Sequence, residues 1–299
     1  MMSPPTRLRL LLDNDPPVVA PGAFNALFAK LIEEEGFKAV YLSGAGVANS
    51  LLGEPDLGMV TQTEFANLAD LVCQAVDIPV IADGDTGYGG VHNVARTIRL
   101  YERAGVAAVQ LEDQAFPKKC GHFEGKVVVP VEEMVQRIYA AQDARSGDDG
   151  ILIIARTDAR APLGLVEAID RANRYADAGA DLLFVEAPQN EDELARIGSE
   201  LSGHRLMVNM VEFGKTPLLP TDRLAELGYC LTIYPGVITR VVVEAARAVL
   251  ADLHTTGSTK GWLDRMATFK EVNVLLGLPT ANEWEAEISR RAVEAGDNE

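Results

Sequence analysis

Short apolar segments alternate with longer amphipathic segments along most of the chain. The apolar segments are rich in Val, Ile, Leu and Ala and stop at polar or glycine residues, which is typical of strands buried on both faces of a parallel sheet. Eight such segments are present, at residues 18–20, 39–42, 80–82, 107–111, 151–155, 182–185, 206–208 and 231–234. The pattern therefore predicts eight buried strands.

The segments between these strands have helical periodicity. They lie at residues 25–35, 64–76, 93–103, 132–144, 165–177, 191–201, 221–226 and 238–253, and a glycine follows several of them. Repeated strand–helix units of this kind predict a (β/α)8 barrel, with a doubly wound open sheet as the alternative. We expect residues 1–255 to form the barrel. Residues 256–299 are expected to form a helical extension, either within the same domain or at a subunit interface.

Polar side chains stand where the predicted strands end. They are Ser43, Asp83, Asp85, Glu112, Arg156, Glu186, Asn209 and the segment 234–240. Barrel enzymes build their sites from the carboxyl ends of several strands and from the loops that follow. We therefore expect one pocket to contain these residues.

Charge and cysteine content narrow the classes of partner. The chain has 27 Lys and Arg against 44 Asp and Glu, a net charge of -17, which argues against nucleic acid or an anionic membrane as partner. The sequence contains no apolar run near the ~20 residues of a membrane span. Its three cysteines, Cys73, Cys120 and Cys230, fit neither a disulfide framework nor a zinc cluster. These features predict a cytoplasmic protein.

An acidic, glycine-rich loop follows the third predicted strand. Asp83 and Asp85 are two positions apart, so they point to the same side of an extended backbone, and Glu112 ends the next strand. Carboxylates of this kind suit Mg²⁺, with Mn²⁺ as a second possibility. The loop lacks the spacing and the lysine of phosphate-binding loops. The alternative is that the aspartates only cap and stabilise the turn.

A second loop has the sequence KKCGH at residues 118–122. Cys120 lies between two lysines and His122, and nearby positive charge favours the thiolate. Gly121 gives the backbone the freedom expected of a loop that closes over a substrate. Cys120 is therefore a candidate proton donor, and the alternative is an inert surface cysteine.

Other strand-end residues are candidates for substrate binding. Arg156 can clamp a carboxylate with two hydrogen bonds, or it can pair with Asp158. Glu186 and Asn209 can orient a hydroxyl or carboxylate, or bond only to backbone. Arg240 is either a second carboxylate clamp or a solvated side chain.

Several motifs, taken in order, resemble the isocitrate lyase and phosphoenolpyruvate mutase superfamily. They are YLSG at 41–44, DGDTGYG at 83–89, LEDQ at 111–114, KKCGH at 118–122, ARTDA at 155–159 and NMVEFGKTP at 209–217. The resemblance extends from about residue 18 to the C-terminal region. The chain length is similar to the short branch, which includes 2-methylisocitrate lyase, 2,3-dimethylmalate lyase, oxaloacetate hydrolase and carboxyphosphonoenolpyruvate mutase.

The resemblance implies a Mg²⁺-dependent lyase that cleaves a branched 2-hydroxy di- or tricarboxylate to pyruvate, or a similar α-oxo acid, plus a carboxylate. It also implies a homotetramer in which the final helix is swapped between subunits. Its implied metal residues are Asp83, Asp85 and, in the outer shell, Glu112. Its implied catalytic residues are Tyr41 as base, Cys120 as proton donor and Arg156, which orients the substrate. Its implied substrate-binding residues are Ser43, Gly44, Ala45, Gly121, His122, Arg156, Glu186, Asn209 and Arg240.

Individual positions separate the members of this branch. Arg240 is similar to an arginine that methylisocitrate lyases use for a third carboxylate. Phe269 and Gln110 depart from those lyases, whereas Val211 and residues 123–130 are more similar to the dimethylmalate and oxaloacetate enzymes. The alternatives are an oxaloacetate hydrolase or decarboxylase, a carboxyphosphonoenolpyruvate phosphonomutase and a non-catalytic scaffold. Cys120 and Tyr41 argue against the mutase.

Overall fold

The computed structural model describes residues 2–119, 121 and 125–296. Cys120 and His122, two of the predicted site residues, lie outside this part of the chain. The chain forms two compact units, Met1–Val241 and Val242–Glu299. The predicted barrel domain at residues 1–255, with a helical extension at 256–299, stays a prediction. Among the described residues, no helix combines the length and the apolar character needed to cross a membrane.

A closed barrel of parallel strands forms the first unit. Its strands within the described residues are β1 (Val18–Ala23), β2 (Val40–Leu42), β3 (Val80–Asp83), β4 (Ala108–Glu112), β5 (Leu152–Thr157), β6 (Leu182–Val185), β7 (Leu206–Asn209) and β8 (Tyr229–Tyr234). Each strand pairs with the next, and β1 pairs with β8 so that Val19 lies beside Thr232. The predicted (β/α)8 barrel is confirmed, and the sheet is closed rather than open.

Helices alternate with the strands along the chain, and further helices precede β1 and follow β8. They are α1 (Pro4–Asn14), α2 (Ala26–Glu34), α3 (Gly44–Val47), α4 (Gln62–Ala75), α5 (Val91–Ala104), α6 (Val131–Ala144), α7 (Arg160–Leu163), α8 (Leu165–Asp177), α9 (Glu191–Glu200), α10 (Thr221–Glu226), α11 (Val237–Thr256), α12 (Phe269–Leu275) and α13 (Leu278–Gly296). A π-helix at Ala48–Leu52 follows α3, and a 3-10 helix at Lys260–Arg265 precedes α12. The eight predicted helices are present, whereas the short α3 and α7 were not predicted.

Apolar side chains fill both sides of the barrel wall. Ile154 and Phe184 belong to the cluster inside the barrel, whereas Ile153 and Val185 pack between the strands and the helices. Successive residues of a strand point to opposite faces, and every residue of β5 is buried. The uninterrupted apolar segments of the sequence follow from burial on both faces.

The first helix, α1, has a structural role that the sequence pattern missed. Ser3 caps its N-terminus by accepting a hydrogen bond from the Thr6 amide. Leu8 and Leu12 are buried in the interior cluster, together with residues from the beginnings of several strands. The helix therefore plugs the end of the barrel opposite the carboxyl ends of the strands. The N-cap serine followed by proline was the available sequence signal.

The second unit consists of helices held by local contacts. Trp262 Nε1 donates to Asp252 Oδ2 at 3.0 Å, and the Arg265 guanidinium lies 5.1 Å from the centre of the Trp262 ring. A capping box of Thr268 and Glu271 begins α12. The last helix, α13, extends the helical structure to Gly296.

Candidate active site

A cavity of about 160 Å³ lies at the carboxyl ends of the barrel strands. Among the predicted site residues, those in its wall are Tyr41, Ser43, Ala45, Asp83, Glu112, Gly121, Arg156, Glu186, Asn209 and Arg240. The fold thus brings most of the predicted residues to one place. Gly44 and Asp85 lie next to the cavity without lining it.

Arg156 lies at the centre of the charged groups. Its Nε and NH2 atoms donate to the two oxygens of Asp158 at 2.9 and 3.0 Å. Its NH1 lies 3.4 Å from Glu112 Oε2, and its NH2 lies 3.8 Å from Glu186 Oε1. Arg156 therefore pairs with Asp158 and also lines the cavity, and its binding of a substrate carboxylate stays a prediction.

Strand register explains these neighbours. Arg156 pairs with Glu112 of β4 on one side and with Phe184 of β6 on the other. The Phe184 ring lies 5.5 Å from the guanidinium, a distance suitable for a cation–π contact. Burial disfavours the charged guanidinium, but Asp158, Glu112 and Glu186 outweigh it and raise the pKa of Arg156 well above its ordinary value. Arg156 is therefore a permanent positive charge in the cavity wall.

The Asp83 carboxylate accepts hydrogen bonds from three donor groups. The Asp85 amide and Gln110 Nε2 donate to its Oδ1 at 3.2 and 3.3 Å, and the Gly44 amide donates to its Oδ2 at 3.3 Å. Asp83 thus stabilises the turn, as the alternative interpretation expected, and also lines the cavity. It ties the loop after β2 to the loop after β3.

Asp85 forms an ion pair with a lysine of the second loop. Lys118 Nζ lies 2.7 Å from Asp85 Oδ1 and 2.6 Å from Asp56 Oδ1. Burial raises the pKa of Asp85 to about 6 even though Lys118 opposes the shift. Burial acts against the charge of Lys118, but the surrounding carboxylates raise its pKa above the ordinary value. The structure therefore places an ammonium beside a predicted metal ligand.

The donor groups near Asp83 fit Mg²⁺ only in part. No group of three or more His, Cys, Asp or Glu side chains within the described ranges is arranged to hold a metal by itself. Glu112 Oε1, however, is buried and has no hydrogen-bond partner among the same residues. Mg²⁺ is usually held by one or two carboxylates together with water and substrate oxygens. The residues suit an ion bound in this way and do not form an all-protein cage.

Tyr41 is buried in the cavity wall beside a glutamine. Its hydroxyl donates to Gln110 Oε1 at 3.1 Å. Burial, together with Asp83, raises the pKa of Tyr41 well above its ordinary value, although Arg156 opposes the shift. Tyr41 is therefore a protonated donor here, and its role as a base stays a prediction.

The loop after β2 contributes to the cavity wall. Ser43 Oγ accepts from the Gly46 amide at 3.3 Å and begins α3, and Ala45 and Gly46 line the cavity. The Gly44 amide is already bonded to Asp83. Ser43, Ala45 and Gly46 thus line the cavity at the start of this loop, and Asn49 and Asp56 line it further along.

Two further predicted residues lie deeper, and a third lies at the rim. Asn209 Nδ2 donates to Glu186 Oε1 at 3.4 Å, so these side chains orient each other. Arg240, near the start of α11, donates to Glu212 Oε2 at 2.8 Å and is 43% exposed. Arg240 is therefore neither free in solvent nor bound deep inside the cavity.

The sequence analysis did not single out Lys126, which lies in the same loop after β4 as Lys118. Lys126 Nζ lies 2.6 Å from Asp158 Oδ1 and also donates to the Gly121 carbonyl. A Cβ atom at Gly121 would overlap the Arg156 guanidinium and the Glu186 carboxylate. The loop backbone is thus packed directly on the charged cluster. A lysine just before an apolar segment has no signal that would separate it from a solvated one.

The comparisons with known proteins agree with this geometry. A family model described as phosphoenolpyruvate phosphomutase matches residues 8–254. The chain belongs to this family. The predicted membership of the isocitrate lyase and phosphoenolpyruvate mutase superfamily is therefore confirmed.

Two curated members of the phosphomutase family cover almost the whole chain. The 2,3-dimethylmalate lyase of Eubacterium barkeri is 47% identical over 95% of this chain and 98% of its own length. The 2-methylisocitrate lyase of Aeropyrum pernix is 43% identical over 96% of this chain and 92% of its own length. The prediction of an enzyme of the lyase class within this superfamily is confirmed.

A solved structure extends the comparison to three dimensions. Oxaloacetate acetylhydrolase, in complex with the inhibitor 3,3-difluorooxalacetate, superposes with a TM-score of 0.92 at 35% identity, covering 96% of this chain and 97% of the other. Within one phosphomutase-family fold, therefore, similar chains carry out different reactions. The choice among substrates depends on individual side chains.

Proposed function

We propose that the protein is a Mg²⁺-dependent carbon–carbon lyase. Its substrate is a branched 2-hydroxy di- or tricarboxylate similar to 2,3-dimethylmalate or 2-methylisocitrate, and its products are pyruvate, or a similar α-oxo acid, and a carboxylate. The proposal is supported most by one observation. The cavity wall combines a permanent cation, Arg156, with carboxylates at Asp83 and Glu112, one of which has a buried oxygen without a hydrogen bond among the described residues.

The cavity suits a small anionic substrate. Its volume of about 160 Å³ accommodates a few carbon and oxygen atoms rather than a large cofactor. Arg156 would bind one carboxylate with its outward N–H groups, and Ser43 with the Ala45 backbone would bind the carboxylate that ends up on the α-oxo acid. Glu186 and Asn209 would orient the hydroxyl between these two ends.

Cleavage requires the hydroxyl proton to leave while the adjacent carbon–carbon bond breaks. The oxygen becomes the carbonyl of the α-oxo acid, and the electron pair of the broken bond remains on the other fragment, next to its carboxylate. Tyr41 is the proposed acceptor of the hydroxyl proton. The raised pKa of Tyr41 favours the neutral phenol, so in this proposal its proton passes to solvent before the substrate binds, and the phenolate then accepts the hydroxyl proton.

Asp83, Asp85 and, through water, Glu112 are the residues that would hold Mg²⁺. When bound, the ion supplies Lewis-acid stabilisation of the charge that develops on the substrate oxygen. Cys120 is the proposed donor of the proton that completes the second product. Gly121, its neighbour in the sequence, lines the cavity.

The test is product analysis by proton NMR. The protein with Mg²⁺ is incubated separately with racemic 2-methylisocitrate, 2,3-dimethylmalate and oxaloacetate. We expect pyruvate with succinate from the first substrate or pyruvate with propionate from the second, and no turnover after dialysis against EDTA until Mg²⁺ or Mn²⁺ is added. Turnover that survives complete removal of divalent ions would contradict the metal dependence.

Two variants test the roles of the proposed catalytic groups. Cys120→Ser and Tyr41→Phe should each lower kcat by about 10² or more, as removal of a general acid or base does. Cys230→Ser is the matched control, because Cys230 does not line the cavity and its thiol donates to the Leu206 carbonyl. Full activity of Cys120→Ser at saturating Mg²⁺ would show that another group supplies the proton.

Oxaloacetate hydrolysis is a second candidate because a solved structure with that activity superposes at a TM-score of 0.92. The same NMR experiment separates it from the lyase. Oxalate and acetate from oxaloacetate, with no cleavage of either branched substrate, would assign the protein to the hydrolases. Release of CO₂ without oxalate would indicate a decarboxylase.

We also propose a homotetramer with a C-terminal helix exchanged between subunits. The second unit exposes several large apolar side chains, among them Phe269 at 88% and Trp284 at 68% of their surface. Apolar side chains that are exposed together are typical of subunit contacts. Light scattering after size-exclusion chromatography should give about four times the chain mass of 32.2 kDa. A monomer at micromolar concentration would contradict this assembly.

A further inference from the structure

Lys126 belongs to the loop after β4. Its side chain is buried against Asp158 and Gly121 and does not line the cavity. Its side chain is 1% exposed and that of its partner Asp158 is 0% exposed. The ammonium donates to the Asp158 carboxylate at 2.6 Å and to the Gly121 carbonyl. Lys126 therefore contacts the two groups that lie against Arg156.

Asp158 is shared between two cations. Its Oδ1 accepts from both Lys126 Nζ and Arg156 NH2, and its Oδ2 accepts from Arg156 Nε. Its backbone is fixed independently, because its amide donates to Asp113 Oδ1 at 2.9 Å. With the backbone fixed, the side-chain direction of Asp158 depends on Lys126 and Arg156 together.

Three carboxylates lie close to the Arg156 guanidinium. Asp158 is bonded at 2.9 and 3.0 Å, whereas Glu112 lies at 3.4 Å and Glu186 at 3.8 Å. Lys126 holds Asp158 Oδ1 from the other side, so the carboxylate stays directed at the Nε and NH2 atoms of Arg156 while NH1 remains near Glu112. Without Lys126, the Asp158 carboxylate would be free to turn, and the guanidinium bonded to it would turn with it.

We propose that Lys126 is a positioning residue of the active site, which orients Asp158 and, through it, the Arg156 guanidinium that meets the substrate carboxylate. The inference rests on the proposed function, because it concerns the same site. A contribution to folding stability does not explain why the charged Lys126 side chain is buried at this position. Replacement of a buried ion pair by apolar residues is often neutral or stabilising, so an ammonium at this position is better explained by the orientation that it imposes.

The kinetic test is a double-mutant cycle between positions 126 and 156. Lys126→Met should lower kcat/KM by about a hundredfold, the cost of misplacing a substrate-orienting group by about 1 Å. Lys126→Arg should recover most of the loss because it restores the charge. In an Arg156→Lys background, Lys126→Met should change kcat/KM by no more than about twofold, because the guanidinium through which Lys126 acts is already absent.

A purely structural role would give a different result. Lys126→Met would then lower kcat/KM by the same factor in both backgrounds, and that outcome would overturn the proposal. The matched control is Arg145→Met, which removes a half-buried ion pair of 2.9 Å with Asp181 that lies away from the cavity wall. It should lower the melting temperature without changing kcat/KM. If Lys126→Met does not fold, Lys126→Gln replaces it in the cycle, since its amide can still donate to the Gly121 carbonyl.

A second measurement separates this inference from the proposed reaction. If the wild-type protein cleaves none of the candidate substrates, crystal structures of the wild type and of Lys126→Met still report the position of Arg156. We expect the Asp158 carboxylate and the guanidinium bonded to it to turn together in the variant, which changes the 3.4 Å distance between Arg156 NH1 and Glu112 Oε2. An Arg156 side chain that superposes in the two structures would overturn the inference, whatever the substrate is.

Discussion

The Lys118 ammonium lies between two carboxylates, 2.6 Å from Asp56 Oδ1 and 2.7 Å from Asp85 Oδ1. Its side chain is only 4% exposed. Because Asp85 is a proposed ligand of Mg²⁺, this lysine holds positive charge close to the position at which a divalent ion would bind. Two cations that share one carboxylate repel each other.

The first prediction is that Lys118→Met tightens divalent-ion binding in the absence of substrate. Removal of the competing charge should lower the dissociation constant for Mn²⁺ by about tenfold, which corresponds to about 1.4 kcal/mol. Titration with Mn²⁺, followed by the EPR signal of the free ion, measures this constant. Lys119→Met is the control, because Lys119 Nζ donates to the Gly125 carbonyl instead. Weaker binding in Lys118→Met would show that Lys118 helps to build the metal site.

The second prediction concerns Gly121, on which a Cβ atom would overlap the Arg156 guanidinium and the Glu186 carboxylate. Both side chains are buried and paired, so neither can turn away without loss of its partners. Gly121→Ala should lower kcat/KM by about a hundredfold, because the loop or Arg156 must move by a substantial part of 1 Å. The control is Gly90→Ala, where a Cβ has no atom within 4 Å. Equal activity of the two variants would mean that the loop lies elsewhere during turnover.

The barrel and much of the site could be predicted because local sequence encodes them. Strands buried on both faces are apolar throughout, and residues at strand ends, such as Glu112 and Arg156, meet through the register of neighbouring strands. The ion pairs of Lys118 and Lys126 could not be predicted in this way. They join residues 62 and 32 positions apart through loops whose course depends on tertiary packing. The turn role of Asp83 was foreseen only as an alternative to metal binding.

The third prediction uses the cysteines as reporters of burial. Burial, together with Asp70, raises the pKa of Cys73 to about 12, and burial raises the pKa of Cys230 to about 11. Since alkylation requires the thiolate, both thiols should remain unlabelled by iodoacetamide between pH 7 and about pH 9. Their labelling should increase only as the pH approaches these raised values. Mass spectrometry of tryptic peptides gives the rate for each site.

The same experiment examines the predicted reactivity of Cys120. A thiol near two lysines and a histidine should be labelled first, and its rate should already be high at neutral pH. Cys120→Ser is the control. In its folded state this variant should take up almost no reagent at pH 7.5, because its remaining thiols are Cys73 and Cys230. Rapid labelling of Cys73 or Cys230 in that variant would show that the barrel opens around them.

The last prediction concerns substrate length and Arg240. This side chain lines the rim of the cavity and donates to Glu212 at 2.8 Å, so it can exchange that carboxylate for one of the substrate. If it binds a third carboxylate, Arg240→Leu should raise KM for 2-methylisocitrate by about ten- to a hundredfold, the value of a hydrogen bond to a charged group. KM for 2,3-dimethylmalate, which has no third carboxylate, should stay within about twofold, the ordinary scatter for an unrelated site.

The matched control is Arg223→Leu. Arg223 is equally exposed, at 44% against 43% for Arg240, and it pairs with Glu191 at 2.7 Å without lining the cavity. It should leave both KM values unchanged. An equal rise of KM for the two substrates in Arg240→Leu would mean that Arg240 acts on a carboxylate that both substrates share. Arg240 would then be part of the common binding site, and selection for substrate length would have to come from other residues of the rim.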